Sequence, residues 1–128
     1  FFTDYPYGVF IVSKTDHTAI TEFTEAEKQD LGDILQNTVG GMDRVYDRNF
    51  PYMMTMHQEP ASGNDVHDYY RFHIEFYPPL RGKDKLKYNA SSETGGWAAA
   101  NPMKVEETSE TLRTAVAKYM RERESNGE

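Results

Sequence analysis

The 128-residue chain contains no cysteine. Disulfide frameworks, cysteine-ligated zinc and thiol nucleophiles are therefore excluded. Positive charge is scarce as well: 14 Lys and Arg stand against 21 Asp and Glu, a formal net charge of −7. That sign opposes binding to nucleic acid or to an anionic membrane, and neither is expected as a partner. No apolar run approaches the roughly 20 residues of a membrane-spanning helix. Together these absences fit a cytoplasmic location. Aromatic mass is plentiful, with 9 Tyr, 7 Phe and 1 Trp. It supplies a core and argues against global disorder. Neither a repeat nor a linker interrupts the chain, so residues 1–128 are expected to form one domain. The chain opens Phe1-Phe2-Thr3 rather than with Met, which reads as a piece of a longer polypeptide.

Hydrophobic patterning places the elements. Residues 7–14 form a β-branched and aromatic run that predicts a buried strand. Thr24-Glu25-Ala26-Glu27 is a capping box, and Leu31, Ile34, Leu35, Val39 and Met42 follow at helical spacing. A helix is expected from residue 25 to the mid-forties, weakened or bent in its last third by Gly40-Gly41. Residues 51–58 predict a second strand, with Pro51 tolerated because it opens the run. From residue 68 to 77 the alternation is clean. Tyr70, Phe72, Ile74 and Phe76 share one face, and Tyr69, Arg71, His73, Glu75 and Tyr77 the other. A short strand over 85–91, a loop at Thr94-Gly95-Gly96-Trp97 and a helix from about residue 104 complete the chain. Residues 121–128 are charged and are expected to fray. The fold class is α+β, an antiparallel sheet with flanking helices.

One constellation carries metal chemistry. His73 and Glu75 are two apart on a strand and share a face. If residues 52–58 and 68–77 pair as a hairpin, facing residues have numbers that sum to about 130. His57 then lies opposite His73, with Cβ atoms roughly 4.5–5.5 Å apart. Two imidazoles and a carboxylate suit zinc or non-haem iron. The plainer alternative is a pair of surface histidines, one of them salt-bridged to Glu75. His17 and His67 read as solvated surface residues. Lys83-Asp84-Lys85-Leu86-Lys87 is a local basic patch, either a solvated strand edge or a phosphate contact.

Phe50-Pro51-Tyr52-Met53-Met54 with Met56-His57-Gln58-Glu59-Pro60 resembles a segment of the galactose-1-phosphate uridylyltransferases. Phe72-His73-Ile74-Glu75-Phe76-Tyr77-Pro78-Pro79-Leu80-Arg81 is similar to a second, and Lys87-Tyr88 with Glu93 to a third. The opening strand and the helix after Thr24 also match, so the resemblance covers roughly residues 5–113 in the same order. It implies the C-terminal, histidine-triad-like half of a two-domain enzyme of galactose metabolism that works as a dimer. It further implies uridylyl transfer between UDP-hexose and hexose 1-phosphate through a histidine in an N-terminal His-Pro-His motif. This chain has no such motif, and no catalytic residue is assigned to it. His57, His73 and Glu75 match structural metal ligands for zinc or iron, with a remaining ligand expected from the missing N-terminal half. Glu75 stands where some members carry a second histidine. Lys87, Tyr88 and Glu93 match positions that contact the hexose and its phosphates, although Ser91-Ser92 replaces the glycine and aromatic usual before that glutamate. Two alternatives remain: a domain of an ADP-sugar phosphorylase or hexose-phosphate adenylyltransferase, and a non-catalytic metal-stabilised binding module.

Overall fold

The computed structural model describes residues 5–61, 63–88 and 92–127. Its first strand, β1 (Val9–Val12), is shorter than the expected 7–14. Tyr7 adopts a left-handed φ of 62°, which no strand residue can hold, and so delays the start. A single 3-10 turn (Ile20–Glu22) leads into helix α1 (Glu25–Val45). The capping box is formed as expected. Glu27 N donates to the Thr24 hydroxyl at 3.2 Å, and Thr24 N donates to Glu27 Oε2 at 2.9 Å.

Strands β2 (Met53–His57) and β3 (His73–Tyr77) follow, then β4 (Leu80–Gly82) and β5 (Lys85–Leu86). β3 starts five residues later than the alternation predicts. The Val66 carbonyl accepts from the backbone N–H of both Tyr69 (3.1 Å) and Tyr70 (2.8 Å), and that turn consumes residues assigned to the strand. Residues 89–91, the end of the expected strand 85–91, lie outside the described residues, as do residues 1–4. Ser92 and Glu93 begin a short helix, α2 (Ser92–Gly95), where a loop was expected.

The main sheet is antiparallel in the order β1-β3-β2, and β4 pairs with β5 in a separate ribbon. One face of β3 is sealed: Phe72, Ile74 and Phe76 are 2%, 0% and 0% exposed and cluster with Leu31 and Met42 of α1 and with Tyr7 and Phe50. The other face carries His73, Glu75 and Tyr77. Register places Val12 and Phe10 of β1 beside His73 and Glu75 on that face. Thr55 and Met53 of β2 stand beside Glu75 and Tyr77. Phe10, Val12 and Met53 are all about half exposed, so this face is open.

The last helix, α3 (Val105–Asn126), packs along α1. Gly40 and Gly41 make that contact possible rather than bending the helix. A Cβ on Gly40 would enter the Tyr119 ring, and one on Gly41 would strike Val116. Residues 121–126, expected to fray, are helical. Arg44 Nε donates to Glu122 Oε2 at 2.9 Å, and an Arg123 Nη1–H donates to Asn37 Oδ1 at 2.9 Å. Gly127 then caps the helix in the left-handed conformation.

Candidate metal centre

His57 and His73 are cross-strand partners, as the hairpin arithmetic requires. Their rings stack nearly parallel, 8° apart, with centroids separated by 4.6 Å. Glu75 completes the group. One ligand atom from each of the three residues lies within 4.8 Å of the others. His73 Nε2 is 3.5 Å from Glu75 Oε1, and His57 Nε2 is 3.9 Å from Glu75 Oε2. Metal–ligand bonds of about 2.0–2.2 Å at tetrahedral angles put donor atoms about 3.4 Å apart. The two distances run to different oxygens of Glu75, and the group, spanning up to 4.8 Å, would contract toward that spacing to hold a cation.

The protonation pattern favours ligation. His73 Nδ1 lies 2.7 Å from the Arg71 carbonyl oxygen, which can only accept. Nδ1 carries a proton, so in the neutral ring the Nε2 lone pair faces Glu75. On His57, Nε2 is buried and has no hydrogen-bond partner among the described residues. A buried ring nitrogen without a partner costs free energy unless something takes its lone pair. The donor set and the orphaned nitrogen both fit a divalent transition metal, so the three residues can hold one.

Glu75 has a third neighbour that sequence reasoning did not single out. Tyr77 donates its hydroxyl to Glu75 Oε2. Burial, reinforced by that carboxylate, pushes the Tyr77 phenol up to about 12. Alternation had placed Tyr77 on this face, but spacing does not say which atom a hydroxyl meets.

Lys87, Tyr88 and Glu93 lie elsewhere, beyond the β4–β5 ribbon. Lys87 Nζ is 2.5 Å from Glu93 Oε1, and the two side chains are only 3% and 10% exposed. The Lys87 ammonium also donates to the Ala100 carbonyl at 2.8 Å, and Ala100 N donates to Glu93 Oε1 at 3.2 Å. Arg81 adds a second cation 3.7 Å from Glu93 Oε2. The Lys87 hydrogen bond is the main reason the Glu93 carboxyl sits below its usual range. Tyr88 points to solvent, 77% exposed. Lys87 and Glu93 are thus brought together, and Tyr88 stands apart from them.

His17 and His67 are more constrained than surface solvation implies. His17 Nε2 is 3.0 Å from Glu27 Oε1, and His67 bridges Asp65 (2.8 Å) and Glu22 (3.1 Å).

Comparison with known proteins gives the lineage. The family model of the galactose-1-phosphate uridyl transferase C-terminal domain matches residues 1–120. A galactose-1-phosphate uridylyltransferase of Thermotoga maritima is 41% identical over 113 residues, covering 88% of this chain and 36% of that protein. One from Haemophilus influenzae is 28% identical over 120 residues, 93% of this chain and 34% of its own length. A solved uridylyltransferase structure superposes with a TM-score of 0.84 at 31% identity, over 92% of this chain and 37% of that one. The α+β fold is thus that of the uridylyltransferases. The chain belongs to the galactose-1-phosphate uridyl transferase family, whose C-terminal domain it represents. It spans about a third of the length of the curated relatives it matches.

Proposed function

We propose that the protein containing this chain is a nucleotidyltransferase that moves uridylyl between a UDP-hexose and a hexose 1-phosphate. Residues 1–128 act in it as one domain that binds and positions rather than attacks. The match across residues 1–120 is the observation that carries this reading. Sites of this lineage need a histidine nucleophile matched to the α-phosphorus. Each histidine of this chain is engaged otherwise: two in the metal group, two in carboxylate pairs. That engagement agrees with the family resemblance, which implies a nucleophile in an N-terminal His-Pro-His motif outside this chain.

His57, His73 and Glu75 would hold a structural zinc or iron. Three protein ligands leave a coordination position, and the open face carrying Phe10, Val12 and Met53 lies around it. The remaining polypeptide supplies the last ligand and covers that face, and the assembled protein is a homodimer in the cytoplasm. Bound there, the metal would fix β2 against β3 where the sheet meets its covering.

Lys87, Tyr88 and Glu93 contact the hexose phosphate. Without ligand, Glu93 neutralises Lys87. A phosphate oxygen can replace that carboxylate on the ammonium, which frees Glu93 to accept from sugar hydroxyls. The ammonium stays paired throughout, so the exchange avoids a naked buried charge.

The test is uridylyl transfer from UDP-glucose to galactose 1-phosphate by the full polypeptide, with ADP-glucose run in parallel. Transfer from the uridine donor with little from the adenine donor is expected. A preference for ADP-glucose would move the assignment to the adenylyltransferases or phosphorylases, and inertness toward both would leave a metal-stabilised binding module.

A further inference from the structure

Each carboxylate oxygen of Glu75 faces a different neighbour. Oε2 accepts the hydroxyl of Tyr77 and lies 3.9 Å from His57 Nε2, whereas Oε1 points at His73 Nε2 from the shorter distance of 3.5 Å. A carboxylate with both oxygens free can bind a cation through one or both. One already committed to a strong hydrogen bond offers the other. The donor in this case is itself held in place. The Tyr77 ring meets Tyr5 edge to face, with centroids 5.5 Å apart and planes at 67°. Lys87 Nζ lies over the opposite partner of that contact, 5.0 Å from the Tyr5 centroid. Tyr77 thus reaches Glu75 from a ring wedged between the metal group and the Lys87–Glu93 pair.

We propose that Tyr77 is a positioning residue for the metal centre. By occupying Glu75 Oε2 it presents Oε1 as the single carboxylate donor, so the cation is bound by two imidazoles and one monodentate carboxylate. The proposal rests on the metal reading of His57, His73 and Glu75. Both ligands on β3 then have an outer partner: Arg71 O fixes His73, and the Tyr77 hydroxyl fixes Glu75. Outer partners of this kind are typically worth about 10–100-fold in metal affinity.

The experiment uses the full polypeptide, stripped by chelator and titrated with Zn²⁺ and with Co²⁺ as a spectroscopic probe. Binding at this centre is the difference between wild type and His73→Ala. Tyr77→Phe keeps the ring against Tyr5 and removes only the hydroxyl. It should weaken that binding by about 10–100-fold and dim the Co²⁺ visible bands, as bidentate ligation raises the coordination number. In a Glu75→Ala background, Tyr77→Phe should cause no further loss. Unchanged affinity and spectrum in Tyr77→Phe would overturn the proposal. So would an equal loss in the Glu75→Ala background, because the effect would then be general packing. Equal metal content in wild type and His73→Ala would instead overturn the metal centre itself. That failure appears in a different pair of curves.

Discussion

The two faces of β3 are built from alternate residues of the same five-residue strand, yet they differ in almost every physical respect. Ile74 and Phe76 are fully buried against α1. His73 and Glu75, their immediate neighbours, stand on an open face with polar valences directed at one another. The first face is filled and the second is unfinished. A strand that has to place ligands within tenths of an ångström gains from having its alternate side chains locked in a core, because packing sets the backbone on which the ligands ride. The core and the candidate metal group thereby occupy opposite parities of one segment.

A matched pair of substitutions tests that division and should give the largest effect. Phe76→Ala removes a fully buried ring and should destabilise the protein by about 3–5 kcal/mol. His73→Ala, three positions away on the other face, should change the metal-free protein by about 1 kcal/mol or less. Denaturant unfolding of the two metal-free variants gives both numbers. A His73→Ala loss as large as that of Phe76→Ala would show that the open face is also part of the core.

The layer behind the filled face can be probed with glycines. Gly41→Ala places a Cβ against Val116, including its Cα at 2.9 Å, and backbone cannot swing aside. A cost of about 1–3 kcal/mol is expected from overpacking. Gly32, on the same helix, has nothing within 4 Å of its would-be Cβ. Gly32→Ala should therefore stabilise by up to about 1 kcal/mol through helix propensity alone. Opposite signs in thermal unfolding would sharpen the contrast between packed and open surface; the same sign would break it.

A second contrast sets the metal group against the Lys87–Glu93 pair. Among the described residues the metal group leaves a histidine ring nitrogen without a hydrogen-bond partner, whereas the Lys87–Glu93 pair closes on itself through Ala100 and leaves only the Nε of the neighbouring Arg81 unpartnered. Lys87→Met keeps the stem and strips the ammonium, leaving Glu93 with Arg81 at 3.7 Å. Its fall in Tm should be several times that of Lys85→Met, an exposed position on β5 two residues earlier. Equal shifts would mean that the pair contributes no more than a surface ion pair.

Sequence alone reaches a good part of this. The capping box, the α1 span and the His57–His73 register follow from local spacing, because helix caps and strand parity are set within a few residues. The role of Gly40-Gly41 is not legible. Propensity assigns those glycines a weakness, and only the approach of Tyr119 and Val116, more than 70 positions away, turns it into a contact surface. The late start of β3 is hidden for a similar reason. Tyr69, Tyr70 and Phe72 alternate like a strand, but Val66 captures the first two in a turn and the His17 carbonyl takes the N–H of Phe72. Tyr77 was on the expected face, though its partner atom depends on a rotamer. The closed state of Lys87 and Glu93 depends on Ala100, which no motif marks.

The smallest expected effect concerns the histidines outside the sheet, and it sharpens the contrast from the other side. His57 has a nitrogen without a hydrogen-bond partner among the described residues, whereas both nitrogens of His67 meet carboxylates, Asp65 at 2.8 Å and Glu22 at 3.1 Å. Asp65 first, then Glu22, raises the His67 imidazole above its ordinary 6.5. Glu22 is held down at about 2, chiefly by the Thr18 N–H and then by His67 and the Ala19 N–H, with His17 Nδ1 4.0 Å away. A raised imidazole stabilises the fold fully below 6.5, and the contribution fades as pH rises through its folded value. A lowered carboxylate stabilises fully above 4.5, and the contribution fades as pH falls toward 2. The clasp between the loop before β3 and the 3-10 turn is thus complete only between 4.5 and 6.5. His67→Gln should lower Tm modestly at about pH 5.5 and lose most of that difference above about pH 8. Thermal unfolding of wild type and variant across that range provides the check. A difference that stays constant from acid to alkaline pH would show that His67 acts through packing and neutral hydrogen bonds, and charge would have no part in holding the loop.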